Sequence, residues 1–159
     1  MVPTTESRST EREDIAGPEI VTSPYPIFIE GEVVKGFGRG GKQLGIPTAN
    51  LPETVVENTL SDISIRPSQH IPIGIYYGWA KVEKEVYPMV LSLGWNPYFH
   101  NEKRSGEVHI IHDFKDNFYG KKLKVVVLAY IRPEKDYTSI ELLINDIKTD
   151  ITVAQNSLL

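Results

Sequence analysis

The sequence predicts a mainly β protein: an antiparallel barrel closed on one side by a C-terminal helix. Strand-like runs fill most of the chain, at Ile27–Lys35, Ile73–Val82, Val86–Leu93, Glu107–His112 and Leu123–Ile131. Turn residues separate them. No helical pattern is read between these runs, so the crossover helices that parallel strands need are missing. Closing an antiparallel sheet into a barrel also leaves no exposed edge. The helix comes last. Ile140, Leu143, Ile144, Ile147 and Ile151 recur at helical spacing, behind a capping-box pattern at Thr138-Ser139-Ile140-Glu141. This stripe is assigned to the core and given no chemistry.

The composition bounds the function. With 159 residues, 40% hydrophobic and 24% charged, the chain suits one globular domain with a real core. A net charge of −4 argues against nucleic-acid binding, which favours a basic balance. There are no cysteines, which rules out disulfides and thiolate metal sites. No apolar run reaches membrane-spanning length, and no signal-peptide core is present. Glu6, Glu11, Glu13 and Asp14 make the start too acidic for a typical mitochondrial leader. The expectation is a cytoplasmic protein, with mitochondrial association left open. Residues 1–24 are rich in Ser, Thr, Pro and charge and read as a disordered or loosely attached tail. Residues 25–159 form the barrel domain with its helix.

Each element has its own signal. In Ile27–Lys35, Gly31 suggests a bulge or bend. Pro47 and Pro52 bracket an extended Thr-Ala-Asn-Leu segment. Residues 54–69 mix polar and isolated apolar groups without a clear pattern, and Arg66–Pro72 reads as an excursion. In the next strand, Ile73, Ile75, Tyr77 and Trp79 share one face. Glu83-Lys84-Glu85 is a hairpin turn into Val86–Leu93, where Pro88 implies an edge or bulge. Residues 96–106 form a polar loop with aromatics. Leu123–Ile131 is the strongest strand, stopped at Arg132-Pro133-Glu134.

The stretch from Gly36 to Asn50 carries the first chemical signal. Five glycines lie between Gly36 and Gly45, with Arg39 and Lys42 among them. Glycine allows close approach of backbone N–H groups to phosphate oxygens, and the cations add charge. Gly36-x-Gly38-x-x-Gly41 matches a dinucleotide fingerprint, and Gly36-x-x-x-x-Gly41-Lys42 most of a Walker A loop. Both need a helix to follow, and Leu44-Gly45-Ile46-Pro47 is a poor helix start. Gln43 also stands where Walker A has its Ser or Thr. A phosphate loop between strands remains, as does a plain glycine-rich surface turn. Thr48 and Asn50 then offer hard oxygen ligands.

A kinase also needs a group to accept the acceptor hydroxyl's proton. Glu107 is the candidate, beginning a strand after a basic loop, on a barrel's inner rim. An exposed glutamate paired with Arg104 is the plainer reading. Glu107 and His109 share one strand face, His112 the other, so the two histidines are not a metal pair. Trp95, Tyr98, Phe99, Phe114, Phe118 and Tyr119 could stack on a planar ring or simply anchor loops. An OB-like nucleotide or single-strand binder is the rival reading. The acidic balance and the placing of Arg39 and Lys42 in one loop weigh against it.

Taken together, these motifs resemble the riboflavin kinases (flavokinases) of the eukaryotic, monofunctional type. The carrying residues are Gly36–Asn50, Gly74–Ala80, Ser92–Tyr98, Glu107–Phe114, Phe118–Gly120 and Tyr130–Glu134. The resemblance covers about residues 27–150. It implies a six-stranded antiparallel Greek-key barrel. It implies transfer of the ATP γ-phosphoryl group to the riboflavin 5′-hydroxyl, giving FMN and ADP. Thr48 and Asn50 would form the metal site, for Mg2+ with Zn2+ or Mn2+ as alternatives. Gly36, Gly38, Arg39, Gly41 and Lys42 would hold the ATP phosphates. Glu107 would be the base, and Arg104, Trp95 and Phe114 would lie near the flavin. The protein is expected to be a monomer that makes no FAD.

Overall fold

The computed structural model describes residues 12–13, 15–18, 20–22, 24–34, 48–60, 71–95, 104–112 and 120–158. Its elements are β1 (Ile27–Glu32), β2 (Thr48–Leu51), α1 (Glu53–Leu60), β3 (Gly74–Val82), β4 (Glu85–Trp95), β5 (Arg104–Ile110), β6 (Lys122–Arg132) and α2 (Ile140–Ser157).

The six strands form one sheet in the order β1-β6-β3-β4-β5-β2, with every described pairing antiparallel. β3, β4 and β5 follow one another, and β6 returns to lie beside β3. That order is a Greek key. The two ends of the sheet meet where Val34 bridges Asn50, its N–H donating to the Asn50 carbonyl at 2.9 Å. The expected barrel is therefore present.

Alternation divides the strand residues into two sets. Ile27, Ile29, Ala49, Leu51, Tyr76, Ala80, Met89, Leu91, Leu93, Val108, Ile110, Leu123, Val125 and Val127 turn inward and make the main core. Ile75, Tyr77, Val90 and Ala129 turn outward and pack with Ala154 under α2. The Ile75–Tyr77 face expected from the sequence is thus the outer one, buried by the helix. At Gly78 the β3–β6 register shifts, and a Cβ there would lie 1.8 Å from the Val126 carbonyl oxygen. Only a glycine allows that approach.

Five local expectations change. Gly31 makes no bulge, since β1 pairs with β6 in unbroken register. Its missing side chain makes room for Pro52, whose Cδ would be 3.2 Å from an added Cβ. Pro88 lies in a central strand, opposite Trp79 of β3, and on its other side it serves as an acceptor, its carbonyl taking the Ile111 N–H at 2.9 Å, a bond that needs no N–H from proline. Residues 53–60, which showed no clear pattern, are a helix. It starts at Pro52, whose carbonyl accepts from Val55 and Val56, and buries Val56 and Leu60 at i, i+4 in one barrel mouth. The N-cap of α2 is Ser139, one residue after the expected Thr138, and its hydroxyl accepts from Leu142 N–H. The α2 stripe also lacks Ile140, which is 47% exposed.

Part of the stretch expected as a tail is attached. Ala16 N–H donates to Ser157 Oγ at 3.0 Å, and Tyr77 Oη donates to the Ala16 carbonyl at 2.7 Å.

Candidate active site

Between α2 and the outer face of the barrel lies a cavity of about 650 Å³. That is within the usual range for small-ligand pockets, about 300–1,000 Å³. Strand register builds its floor. Arg132 is opposite Ile75, Ile75 opposite Ser92, Ser92 opposite Glu107, and Glu107 opposite Asn50. All five line the cavity. Directly opposed residues on one face put their Cβ atoms about 4.5–5.5 Å apart. The row therefore runs from a cation, across an apolar residue, to a hydroxyl, a carboxylate and an amide. A second row places His109 beside Val90 and opposite Thr48. Leu143, Ile147 and Asp150 of α2 and Glu134–Tyr137 form the facing wall.

Glu107 thus faces outward beneath the helix and not the barrel's inner rim. The cause is β5 alternation. Gly106, Val108 and Ile110 fill the interior, which sends Ser105, Glu107 and His109 to the cavity.

His109 is the neighbour that sequence reasoning set aside as an ordinary strand histidine. It is 6% exposed, and its Nε2 lies 3.4 Å from Glu107 Oε1. Burial pushes its pKa down to about 4, against a smaller upward pull from Asp150. At neutral pH the contact is therefore one between a neutral imidazole and a carboxylate. Nδ1 is buried and without a hydrogen-bond partner among the described residues. His112 lies apart, its ring 4.3 Å from that of Tyr87.

Arg104 does not reach the cavity. It sits on the other face of β5, 7% exposed, under α1. Its Nε and Nη2 donate to the two oxygens of Glu57 at 3.1 and 2.8 Å, and its Nη1 to the Ile71 carbonyl at 2.8 Å. Its partner is Glu57 and not Glu107. Trp95, 40% exposed, does line the cavity, with the Arg104 guanidinium 5.9 Å from its ring centroid. Gly36, Gly38, Arg39, Gly41, Lys42 and Phe114 lie outside the described residues, as do the side chain of Thr48 and most of the Arg66–Pro72 excursion.

An ion cluster braces the facing wall. Arg132 grips Asp150 through Nε and Nη2 at 2.9 and 2.8 Å. Asp146 accepts from Tyr137 Oη at 2.8 Å, and Lys135 Nζ lies 2.9 Å from it. Burial alone would raise the Asp146 pKa, but hydrogen bonds from Lys135 and Tyr137 and the nearby cations hold it below the usual carboxylate range. The Tyr137 hydroxyl is pushed up to about 12, first by burial and then by its bond to Asp146, so it stays a donor. Sequence reasoning flagged Arg132 only as a strand stop and part of a motif. Its partner, Asp150, breaks the α2 stripe between Ile147 and Ile151, which is the one signal that could have revealed it.

Among the described residues, no group of three or more His, Cys, Asp or Glu side chains is arranged to hold a metal. The described neutral oxygen donor opposite Glu107 is the Asn50 amide. Such a donor fits a hard cation held largely by phosphate oxygens, and not a closed protein cage. Among the described residues, no helix is long and apolar enough to cross a membrane.

An antiparallel Greek-key barrel with a carboxylate-bearing pocket on its outer face, walled by a terminal helix, defines a class of small barrel enzymes. Comparison with known proteins then gives the family. A sequence model of flavokinases, described as riboflavin kinase, matches residues 23–158. The riboflavin kinases of mouse and human are each 54% identical over 134 residues, covering 84% of this chain and 81% of theirs. The crystal structure of riboflavin kinase from Trypanosoma brucei superposes with a TM-score of 0.61 at 28% identity, covering 86% of this chain and 82% of that one. The chain belongs to the riboflavin kinase family. It is an enzyme of the class that phosphorylates riboflavin to FMN at the expense of ATP.

Proposed function

We propose that riboflavin occupies the cavity beneath α2, with its ribityl end at Glu107 and its ring toward Ile75, Leu143, Ile147 and Trp95. The observation that carries this reading is the cross-strand opposition of Glu107 and Asn50. It sets a carboxylate beside the strand that leaves the Gly36–Lys42 loop. Glu107 accepts a hydrogen bond from the 5′-hydroxyl. As that oxygen attacks the γ-phosphorus, Glu107 takes the proton, the new O–P bond forms, the bond to the β-phosphate oxygen breaks, and ADP leaves. Catalysis here rests on positioning and charge. Gly36, Gly38, Arg39, Gly41 and Lys42 hold the ATP phosphates on this reading. Thr48 and Asn50 would hold the divalent ion, Mg2+ in preference to Mn2+ or Zn2+ because the donors are hard oxygens. When bound, that ion supplies neutralisation of phosphate charge. Neutral His109 beside Glu107 adds no competing cation and helps to fix the carboxylate's direction.

Glu107→Gln tests the base. Loss of a general base costs about 10²–10⁴-fold in kcat, with the fold and ATP binding kept. Single-turnover formation of FMN reads it directly. Near-parental turnover in the folded variant would remove Glu107 from this role.

A further inference from the structure

Residues ahead of the family match brace the side chains that wall the pocket. The match begins at residue 23. Arg12 precedes it, yet its guanidinium completes the ion cluster on α2. Its Nη2 donates to Asp150 Oδ1 at 2.7 Å. Its Nη1 reaches Asp146 twice, at Oδ1 (3.3 Å) and at the backbone carbonyl (3.1 Å). Asp150, with its side chain only 2% exposed, therefore carries two guanidiniums, from Arg12 and Arg132. Of these, Arg132 and Asp150 line the cavity.

The chain then stays pinned. Ala16 bonds both to Ser157 at the end of α2 and to Tyr77 on β3. At Gly17, with φ +79, an added Cβ would lie 2.7 Å from Ala129 Cβ. The segment therefore contacts the helix and the barrel at once.

Asp146 and Asp150 are one helical turn apart, a spacing at which like charges repel. Arg12 bridges them. Without it, Asp150 keeps Arg132, and Asp146 keeps Lys135 and Tyr137. The cluster would still form, through Arg132 at the end of β6 and through Lys135 and Tyr137. Its tie to the N-terminal segment would be gone, which leaves that segment joined to α2 at Ser157, away from the cluster.

We infer that the segment from Arg12 to Gly17 is a strap that sets the gap between α2 and the barrel, and that Arg12 is a positioning residue for the flavin substrate. This rests on the reading that riboflavin occupies the cavity. ATP, approaching from the Asn50 end, would not sense the strap.

The test measures KM for riboflavin and for ATP separately in the full chain. Arg12→Gln removes the charge, and Arg12→Lys keeps it. Arg12→Gln is expected to raise the riboflavin KM roughly threefold to tenfold, the scale of one lost networked ion pair, with the ATP KM within about twofold. Arg12→Lys should recover much of the loss. A riboflavin KM within about twofold of the parent in Arg12→Gln, or both KM values rising in step, overturns the inference. Ile147→Ala, on the cavity wall, separates the two readings. If it too leaves the riboflavin KM unchanged, the cavity assignment fails. If it raises that KM while Arg12→Gln does not, only the strap fails.

Discussion

His109 supplies a prediction whose size and sign both follow from burial. Its imidazole has an ordinary pKa near 6.5, and burial lowers it to about 4 in the folded protein. The folded value is the depressed one. Between these two values the unfolded chain binds more protons than the native one, so stability rises with pH through that window and is lost as pH falls. Over the full shift the loss is about 3 kcal/mol, at about 1.4 kcal/mol per pKa unit. By pH 4.5 most of it has been incurred. Urea denaturation of the parent and of His109→Gln at pH steps from 7.5 to 4.5 isolates this share, because every other titrating group is common to both. The parent should lose roughly 2–3 kcal/mol more than the variant across that range. If the two curves stay parallel, the histidine is not buried as a neutral group. The same neutrality bears on catalysis, because a cationic imidazole 3.4 Å from Glu107 would weaken that carboxylate as a base.

Two further predictions test the frame around the site. Gly78→Ala places a Cβ 1.8 Å from a backbone oxygen, so β3 and β6 must separate. A loss of at least about 3 kcal/mol, or no folded protein, is expected by thermal unfolding. An alanine variant with near-parental stability would refute the close approach. Arg104→Leu leaves Glu57 without its guanidinium partner at the barrel mouth. About 3 kcal/mol of stability should go. The riboflavin KM of the folded variant should stay within about threefold, because Arg104 lies across the strand from the cavity. A large selective rise in that KM would instead bring the guanidinium to the flavin.

Much of the architecture was legible in the residues themselves. Strand alternation, the absence of crossover patterns and the α2 stripe are local signals, and each fixes a face and a period. They were enough for an antiparallel barrel with one terminal helix, and the ordered motifs were enough for the family. α1 was missed because its eight residues, rich in Val and Thr, have weak helix propensity and are held by burial of Val56 and Leu60 in the barrel mouth. Asp150 was missed as part of the site because a lone acid in an apolar stripe looks like a surface residue until its partners are known.

By itself the sequence picked out candidates for the chemistry: Glu107, expected at a strand start and found in the middle of β5, Asn50 after the glycine loop, and the α2 stripe as something to be buried. Which side of the barrel they serve was decided only by tertiary structure. Alternation says that Glu107 and Val108 point opposite ways, but the way that is inward depends on which set of side chains closes the barrel. Six strands had to settle that together. Their register then lined up Arg132, Ile75, Ser92, Glu107 and Asn50, residues from five separate strands, into one floor. It also turned Arg104 away to Glu57 and brought Arg12, 134 residues distant in the chain, onto Asp146. Such long-range pairings leave no periodic trace in a single sequence, because the energy that selects them belongs to contacts between elements and not to any one element.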